Sequence, residues 1–525
     1  MELVRESIIL NKHIGEEKSQ MLLEGDIIVP DVAPDIASIL QSTARVFISK
    51  ATAGVGRVSY HGKMFVDVLY LAKGDEEIGV HSISSHAHID DFLNMEGAVS
   101  NAWVNLSVDL ANIEFKVVND RKLNYRAVID VCADVLENKA FDAVTSIGGL
   151  PVAQQKNVNF AASNMVVKHM EQFTIRDEIT LPQNLPAIAH LLQTSVDVSA
   201  KDVVVADGHV DISGDLLIRP LYRGTDGEPS AIIEFAEFEL PFSGSLEIGG
   251  ATSGLISDAS LSVGDFIIDL SPDETGQNRV LSIEVAVQTD IKIFAASNIE
   301  ILNDAYCLEQ NLDIKTQTLN YNHLIFRNKN QFNVKEKVGL DGAAPEILKI
   351  LRANGTVRLD DIKVVEDKTV VEGIVEANVL YVANCDENPL HSHIVHVPIR
   401  QVIETRGSRL GMAADVKCNL EHIGFNMLTG REVELRLSLN FDTLIQENLT
   451  TQFIENIEFS PIDKAQIDNL PSMVVLVAGP GDSLWSIAKK YNADLAELAE
   501  INDIDPANEL TFGQKLLIVK KVAAE

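Results

Sequence analysis

Two groups of histidines are spaced so that they could hold a metal ion. They are His81, His86 and His88, and His391, His393 and His396. Alternate side chains of a strand share one face, and neutral imidazole is a common zinc ligand. No cysteine or carboxylate completes a typical ligand set beside either group. We therefore interpret both groups as solvated strand residues and expect no metal and no cofactor.

The other signatures of catalysis are missing from the sequence. No Gly-x-x-x-x-Gly-Lys-Ser/Thr stretch is present to bind phosphate, and no Gly-x-Ser-x-Gly stretch to present a serine nucleophile. The four cysteines are scattered without the spacing of a disulfide framework or a metal site: Cys132, Cys307, Cys385 and Cys418. We interpret them as small buried residues in a reducing compartment, and we expect no catalytic residues and no enzyme.

Charge restricts the classes of partner. The chain has 525 residues, with 77 Asp and Glu against 43 Lys and Arg, for a net charge of −34. Such a surface repels nucleic acid and anionic lipid, and it favours basic partners. The first ten residues lack a secretory pattern, and no run approaches the ~18 apolar residues of a membrane-spanning helix. We therefore expect no nucleic acid and no transmembrane segment.

One stretch occurs three times without a gap, at 20–70, 172–222 and 331–381. Each copy begins with Gln and has Pro fourteen residues later. A Gly follows 28 residues after the Pro, and a Tyr preceded by Leu follows eight residues after the Gly. These landmarks are Gln20, Pro34, Gly62 and Tyr70; Gln172, Pro186, Gly214 and Tyr222; and Gln331, Pro345, Gly373 and Tyr381. Shared landmarks at fixed spacing indicate one module used three times.

The pattern within each copy predicts a β-rich module with a short helix near its start. Ile36, Ile39 and Leu40 recur at helical spacing after Pro34, which suits a first helical turn. Beyond them the apolar residues alternate, as in half-buried strands. Gly62 within such a run indicates a bulge or the close approach of another backbone. We predict three tandem β domains, each a sandwich or a partly closed barrel with one short helix.

These patterns divide the chain into five parts. We assign repeat one to 1–150, repeat two to 151–315, repeat three to 316–450, a linker to 451–473 and a small C-terminal βααβ domain to 474–521. Residues 135–170 and 296–330 are interpreted as connectors, so that the repeats would behave as beads rather than share one core.

The C-terminal stretch reads as strand, helix, helix, strand in fewer than fifty residues, and it resembles a LysM domain. The matching residues are Gly481-Asp482-Ser483-Leu484, Ile487-Ala488-Lys489-Lys490-Tyr491, Leu498, Asn502, and Gly513-Gln514-Lys515-Leu516 before Ile518. The resemblance implies a shallow groove for N-acetylglucosamine-containing glycan between two loops. They are formed here by Gly481, Asp482, Ser483 and Leu484, and by Asn502, Asp503, Ile504 and Asp505.

The repeated module resembles the SPOCS domain. The residues that carry this resemblance are Pro30-Asp31-Val32-Ala33-Pro34-Asp35-Ile36, Gly62, Leu69-Tyr70 and Arg121-Lys122-Leu123. Copy two has Gln183 and Ala187 at the two aspartate positions, which argues against a catalytic role for the aspartates. Three such modules before one LysM domain are similar to the family of SipL-like and SpoVID-like spore coat morphogenetic proteins.

That resemblance implies a non-enzymatic scaffold in the mother-cell cytoplasm, at the forespore surface. Its LysM domain would bind a SpoIVA-like ATPase, and its repeats would recruit other coat proteins. Two alternatives are a wall or cortex protein that binds peptidoglycan and an uncharacterised β-domain enzyme. We expect Trp485, which follows Leu484, to be partly exposed and to serve as a contact anchor, so that Trp485→Ala weakens partner binding.

Overall fold

The computed structural model describes residues 2–73, 79–149, 152–225, 232–340, 344–384, 390–461, 473–506, 508 and 510–519. Repeat one consists of six strands: β1 (Glu2–Ile28), β2 (Ile36–Gly54), β3 (Arg57–Ala72), β4 (Val80–Asn94), β5 (Trp103–Asn119) and β6 (Lys122–Gly148). They form two antiparallel sheets of three strands, in the orders β1-β6-β5 and β2-β3-β4.

Repeats two and three have the same topology, with one difference. The strands of repeat two are β7 (Ala153–Thr180), β8 (Ala187–Ala206), β9 (His209–Thr225), β10 (Ile232–Phe235), β11 (Phe238–Glu247), β12 (Ile256–Pro272) and β13 (Asn278–Cys307). Those of repeat three are β14 (Gln310–Gly339), β15 (Ile347–Val365), β16 (Lys368–Ala383), β17 (Leu390–Glu404), β18 (Ala413–Thr429) and β19 (Glu432–Pro461). The break between β10 and β11 lies opposite Pro220, which has no N–H to donate to the ladder.

The two sheets of each repeat pack face to face as a sandwich. In β6 every second residue from Leu123 to Val135 is buried, and in β3 the buried side chains likewise alternate. Both sets contribute to the same apolar core, as the period of two requires. Each sheet keeps two edge strands, so the sandwich alternative describes the repeats and the partly closed barrel does not.

The short helix predicted in each repeat is wrong. Residues 36–40 are the start of strand β2, and the register shifts between Ile36 and Ser38 and again between Ile39 and Gln41. Each bulge adds one residue, so Ile36 and Ile39 both face the sandwich core although they are three residues apart. The paired bulges therefore imitate helical spacing, and they recur in β8 and β15.

The recurrent strand glycine does mark a bulge, as predicted. A Cβ atom on Gly62, Gly214 or Gly373 would lie 2.2, 2.1 or 2.3 Å from a backbone carbonyl oxygen of the neighbouring strand. That strand shifts register beside the glycine in all three repeats. The close approach of two backbones therefore explains why glycine recurs at this landmark.

A recurrent arginine holds the proline-containing turn in place. Arg121 Nη2 donates to the Pro30 carbonyl at 2.8 Å, and its Nη1 donates to Asp35 Oδ1 at 2.7 Å. Arg279 Nη1 donates to the carbonyls of Pro182 and Leu185 at 3.1 and 2.9 Å. The carboxylate of the first copy is thus a turn brace, and in the second copy, where Ala187 stands in its place, Arg279 holds the turn through its carbonyls.

We expect Arg279→Ala to destabilise repeat two by about 2 kcal/mol or more, because the change leaves two turn carbonyls without their charged donor. Thermal unfolding would show a lower midpoint. Arg176→Ala is the matched control: it removes an arginine of the same repeat that is 71% exposed and paired with Glu284. A control midpoint that falls as far as that of Arg279→Ala would contradict the role given to the turn.

Equivalent residues of the three repeats meet around a common axis. One apolar cluster contains Val144 and Ile147 with their equivalents in the other repeats, Leu302, Ala305, Ile454 and Ile457. At the opposite pole a second cluster joins Leu69, Leu221 and Leu380. The repeats therefore form a pseudo-threefold ring, and the prediction of separate beads is wrong. The predicted connectors at 135–170 and 296–330 mostly belong to long strands that pack around this axis.

The strands also cross two of the predicted limits. β14 begins at Gln310, inside the stretch assigned to repeat two, and β19 continues to Pro461, inside the predicted linker. Hydrogen bonds between these two strands hold both extensions in the ladder. Residues 462–472 of the predicted linker lie outside the described part of the chain.

A cavity of about 2320 Å³ lies in the middle of the ring, and residues of all three repeats line it.

Candidate functional site in the C-terminal module

The C-terminal module is a two-stranded sheet covered by two short helices. Its elements are β20 (Met473–Val477), α1 (Leu484–Tyr491), α2 (Leu495–Ile501) and β21 (Lys515–Val519), and the two strands pair antiparallel. Ser483 caps α1 by accepting the N–H of Ser486, and Asp494 caps α2 by accepting those of Ala496 and Glu497. The predicted βααβ order is therefore confirmed.

Four predicted site residues have structural tasks. Ser483 is the cap of α1, and Leu484 is only 2% exposed in the module core. The Asn502 amide donates to the carbonyls of Leu498 and Leu517, and its oxygen accepts the Leu517 N–H at 2.6 Å. Ile504 packs against the core. These side chains shape the two loops rather than project from them.

The remaining loop residues reach solvent. Gly481, Asp482, Asp503 and Asp505 are exposed. Gly481 has a φ of +84°, which suits glycine, and the Asp482 carboxylate accepts the Gly479 N–H at 2.8 Å. The two loops expected to flank the groove therefore present three exposed carboxylates, which we call the acidic rim.

Trp485 contacts repeat two. Its indole Nε1 donates to Asp304 Oδ2 at 2.8 Å, and its ring packs edge-on against Tyr306 with centroids 5.0 Å apart. Lys489, one turn further along α1, pairs with the other oxygen of Asp304 at 2.5 Å. The side chain is half-buried, as predicted, but its partner is the chain's own second repeat.

Tyr306 completes the core of the module. It is 5% exposed, it clusters with Leu484, and its hydroxyl donates to the Ala493 carbonyl at 2.9 Å. Burial, followed by the nearby carboxylates Asp494 and Asp304, raises the pKa of this phenol, so it stays protonated as a donor. We call this contact between repeat two and α1 the docking interface.

Two further hydrogen bonds extend the docking interface. Asn492 Nδ2 donates to the Leu308 carbonyl at 3.0 Å, and Gln154 Nε2 donates to Asp494 Oδ2 at 3.0 Å. The interface was missed from the sequence because Asp304 and Tyr306 lie almost 180 residues before α1. Their only local signal is an aromatic residue near the end of a strand.

An apolar surface on the sheet has no counterpart among the site residues predicted from the sequence. Met473, Val475 and Val477 of β20 are 63%, 65% and 54% exposed, and they alternate with residues that face the helices. Val519, Leu517 and Lys515 lie opposite Met473, Val475 and Val477 on β21, so the surface is apolar with one lysine at its end. We call this surface the outer sheet face. The uninterrupted apolar run of β20 could have revealed it, since both faces of the strand are apolar.

The two histidine groups do not form a metal site among the described residues. Among them, no group of three or more His, Cys, Asp and Glu side chains is placed to hold a metal ion. His86 and His88 contact each other edge to face, and His391 stacks on Tyr381. Neither described helix is long and apolar enough to cross a membrane.

Comparison with known protein families finds matches to two families. The SipL SPOCS domain family matches residues 35–118, 187–271 and 346–428, and the LysM domain family matches residues 478–519. The three SPOCS matches end before the long strands β6, β13 and β19 begin. No curated protein and no solved structure shows significant similarity to the chain.

Proposed function

This chain is a SipL-like protein with three SPOCS domains and a C-terminal LysM domain, and from that premise we propose that it is a scaffold of spore coat assembly. The two families indicate a sporulation-related protein built from non-catalytic domains. In the proposal, the LysM domain binds a SpoIVA-like ATPase, and the repeats bring other coat proteins to the same place. The protein would act in the mother-cell cytoplasm, at the forespore surface.

The outer sheet face is the observation that carries this proposal. Aliphatic side chains more than half exposed on three alternate positions of β20 make a surface suited to another protein. The acidic rim beside the groove adds charge that a basic partner surface would complement. The docking interface covers one side of α1 and leaves both of these surfaces open.

Glycan binding is the second candidate function, because LysM is the module's family and glycan is that family's usual ligand. The exposed backbone of Gly481 and the carboxylates of Asp482, Asp503 and Asp505 would line the site. The side chain that the sequence analysis expected to anchor a ligand, Trp485, is packed against Tyr306. Its replacement would therefore alter docking before it altered binding.

We expect Val475→Glu to weaken binding of the full chain to a purified SpoIVA-like ATPase by about tenfold or more, since it places a charge within an apolar contact. Biolayer interferometry measures this change. Ile267→Glu is the matched control: it adds the same charge at a 59% exposed position of repeat two. We expect the control to bind like the unmodified chain.

The same proteins are tested against purified peptidoglycan. Retention on peptidoglycan that is lost in Asp503→Lys and unchanged in Val475→Glu, together with no binding to the ATPase, would replace the proposal by the glycan alternative. Equal loss of ATPase binding in Val475→Glu and Ile267→Glu would show that net charge, rather than the outer sheet face, controls the interaction.

A further inference from the structure

Neighbouring repeats of the ring face each other along three seams, and two of these seams are closed in the same way. At the first seam, Arg45 of repeat one donates to the Val263 and Gly264 carbonyls of repeat two, at 2.7 and 2.8 Å. At the second seam, Arg219 of repeat two donates to the Glu421 carbonyl of repeat three at 3.1 Å. These acceptors lie where β12 and β18 shift register. In both seams, an arginine of one repeat thus bonds to a bulge in the next.

The third seam, between repeat three and repeat one, has no such bond. Its bulge lies in β5, at Leu110 and Ala111. These two residues have the register in their sheet that Val263 and Gly264 have in β12. Within the described ranges, no side chain donates to the Leu110 or Ala111 carbonyl, and no hydrogen bond or ion pair of side chains joins β5 to repeat three.

The difference between the seams follows from the sequence. In repeats one and two, an arginine and an aspartate occupy the same two positions in opposite order: Arg45 with Asp67, and Asp197 with Arg219. Repeat three has the uncharged Thr356 and Asn378 at these positions. Arg358 lies two residues further along β15, but its Nε donates to Asp360 at 3.2 Å and its side chain is 68% exposed.

Both sides of the third seam are open to the central cavity. The cavity is lined on the side of repeat one by Leu110, Ala111 and Asn112, and on the side of repeat three by Thr356, Arg358 and Glu376. At the first seam, Val263 and Gly264, which Arg45 contacts, do not line the cavity. The third seam therefore keeps space at the position that an arginine fills in the first.

Two carboxylates stand at the third seam, one on each side. Glu376 of repeat three occupies the position of Phe65, whose ring centre lies 3.9 Å from the guanidinium carbon of the first seam's arginine. The Glu376 side chain is 55% exposed, and the imidazole of His396 is 3.9 Å away. Asp109 of β5 is exposed and lines the cavity. A guanidinium entering this seam would meet two carboxylates as well as the bulge carbonyls.

We propose that the third seam is a docking site for an arginine-containing segment of another protein. The guanidinium of that segment donates to the Leu110 and Ala111 carbonyls, as Arg45 does at the first seam, and it pairs with Glu376 and Asp109. Arginine fits better than lysine, because its planar set of donors reaches a carbonyl and a carboxylate at the same time. This inference rests on the proposed scaffold function in one respect, since it assigns a partner class to the recruiting role of the repeats.

The probe is a fluorescein-labelled peptide of glycine and serine that carries three arginines, with a three-lysine peptide for comparison. By fluorescence polarisation, we expect the full chain to bind the arginine peptide about fivefold or more tightly than the lysine peptide. Thr356→Arg supplies an arginine to the seam and should weaken peptide binding by about tenfold. Val204→Arg, at a 57% exposed position of repeat two, adds the same charge and should leave binding unchanged. Equal affinity for both peptides, or equal weakening in both variants, would overturn the proposal.

Two further variants test the carboxylate and the chain's own arginine. Glu376→Gln should weaken binding of the arginine peptide, whereas Glu372→Gln, which makes the same change on the same strand beside Arg400, should not. Arg358→Gln should leave the midpoint of thermal unfolding unchanged, and Arg45→Gln should lower it. If Arg358→Gln lowers the midpoint as far as Arg45→Gln, the chain closes the third seam itself and the proposal is wrong.

The docking site on the repeats can fail independently of the proposed function. Val475→Glu, which lies on the outer sheet face, should leave binding of the arginine peptide unchanged. Peptide binding that Val475→Glu abolishes would place the peptide on the C-terminal module and contradict the proposal. A chain that binds the SpoIVA-like ATPase but shows no preference for the arginine peptide would overturn this inference alone.

Discussion

Gly214→Ala is expected to destabilise repeat two by about 3 kcal/mol or more, although it adds only one methyl group. The new Cβ would lie 2.1 Å from the Ser199 carbonyl oxygen and 2.9 Å from the Phe242 ring. The carbonyl belongs to the bulged part of β8, where the backbone cannot withdraw without breaking its pairing with β9. Differential scanning calorimetry should show a lower midpoint, and hydrogen exchange should speed up in β8 and β9.

The same sheet provides the control for this prediction. Gly244 lies in β11, which pairs with β9, and a Cβ built on it meets no atom within 4 Å. We expect Gly244→Ala to leave the midpoint nearly unchanged, because the methyl group enters open space. If the two variants lose stability equally, the close approach at Gly214 is not what the glycine provides.

Tyr306→Ala is expected to release the C-terminal module from repeat two. The change removes a ring that is 5% exposed and is shared between repeat two and the module core, together with the hydrogen bond to Ala493. Loss of a buried aromatic side chain costs about 3–5 kcal/mol, more than the remaining polar contacts of the docking interface supply. The chain has two tryptophans, so Trp103→Phe leaves Trp485 as the only source of tryptophan fluorescence. In that background, release of the module should shift the emission of Trp485 to longer wavelength.

Tyr306→Phe tests whether the ring or the hydroxyl holds the interface. It keeps the edge-on contact with Trp485 and removes one hydrogen bond, so we expect a loss of about 1 kcal/mol and unchanged emission. A red shift in Tyr306→Phe equal to that in Tyr306→Ala would assign the contact to the hydroxyl. Unchanged emission in both variants would show that Asp304 suffices to hold Trp485.

The landmarks of the repeats could be predicted from the sequence because each performs a local backbone task. The strand glycine marks a bulge, and the Tyr70 hydroxyl donates to the carbonyl of the landmark Pro34 at 3.0 Å. Tyr381 makes the same contact with Pro345. Such tasks need particular residue types at fixed separations, which repetition makes visible in one sequence.

The apolar spacing after the proline was misread for a physical reason. Apolar residues of a regular strand face the core at every second position. A bulge inserts one extra residue, so residues on either side of it can be three positions apart and still point to the same face. Ile36 and Ile39 therefore share a face in a strand as they would in a helix. Two bulges close together cannot be told from a helical turn by spacing alone.

The shared ring and the docking interface were beyond the reach of sequence reasoning because they depend on distant residues. In the long strands, the alternation of apolar and polar residues weakens where both faces of the sheet are covered. Phe141 of repeat one and Phe453 of repeat three, whose rings contact each other, lie in such a region. The groove residues were chosen from the family pattern, and the structure gives Leu484 and Asn502 structural tasks within it. Which loop residues bind a partner stays a prediction.

The long strands also have a mechanical consequence. They run from the pole at Leu69, Leu221 and Leu380 to the pole of the docking interface, and β1 alone has 27 residues, which would span up to roughly 90 Å if straight. Tension between the two poles would act along the strands and at right angles to their hydrogen bonds, so the bonds of each ladder would be sheared together. The ring is therefore suited to transmit force between what is attached at its two ends.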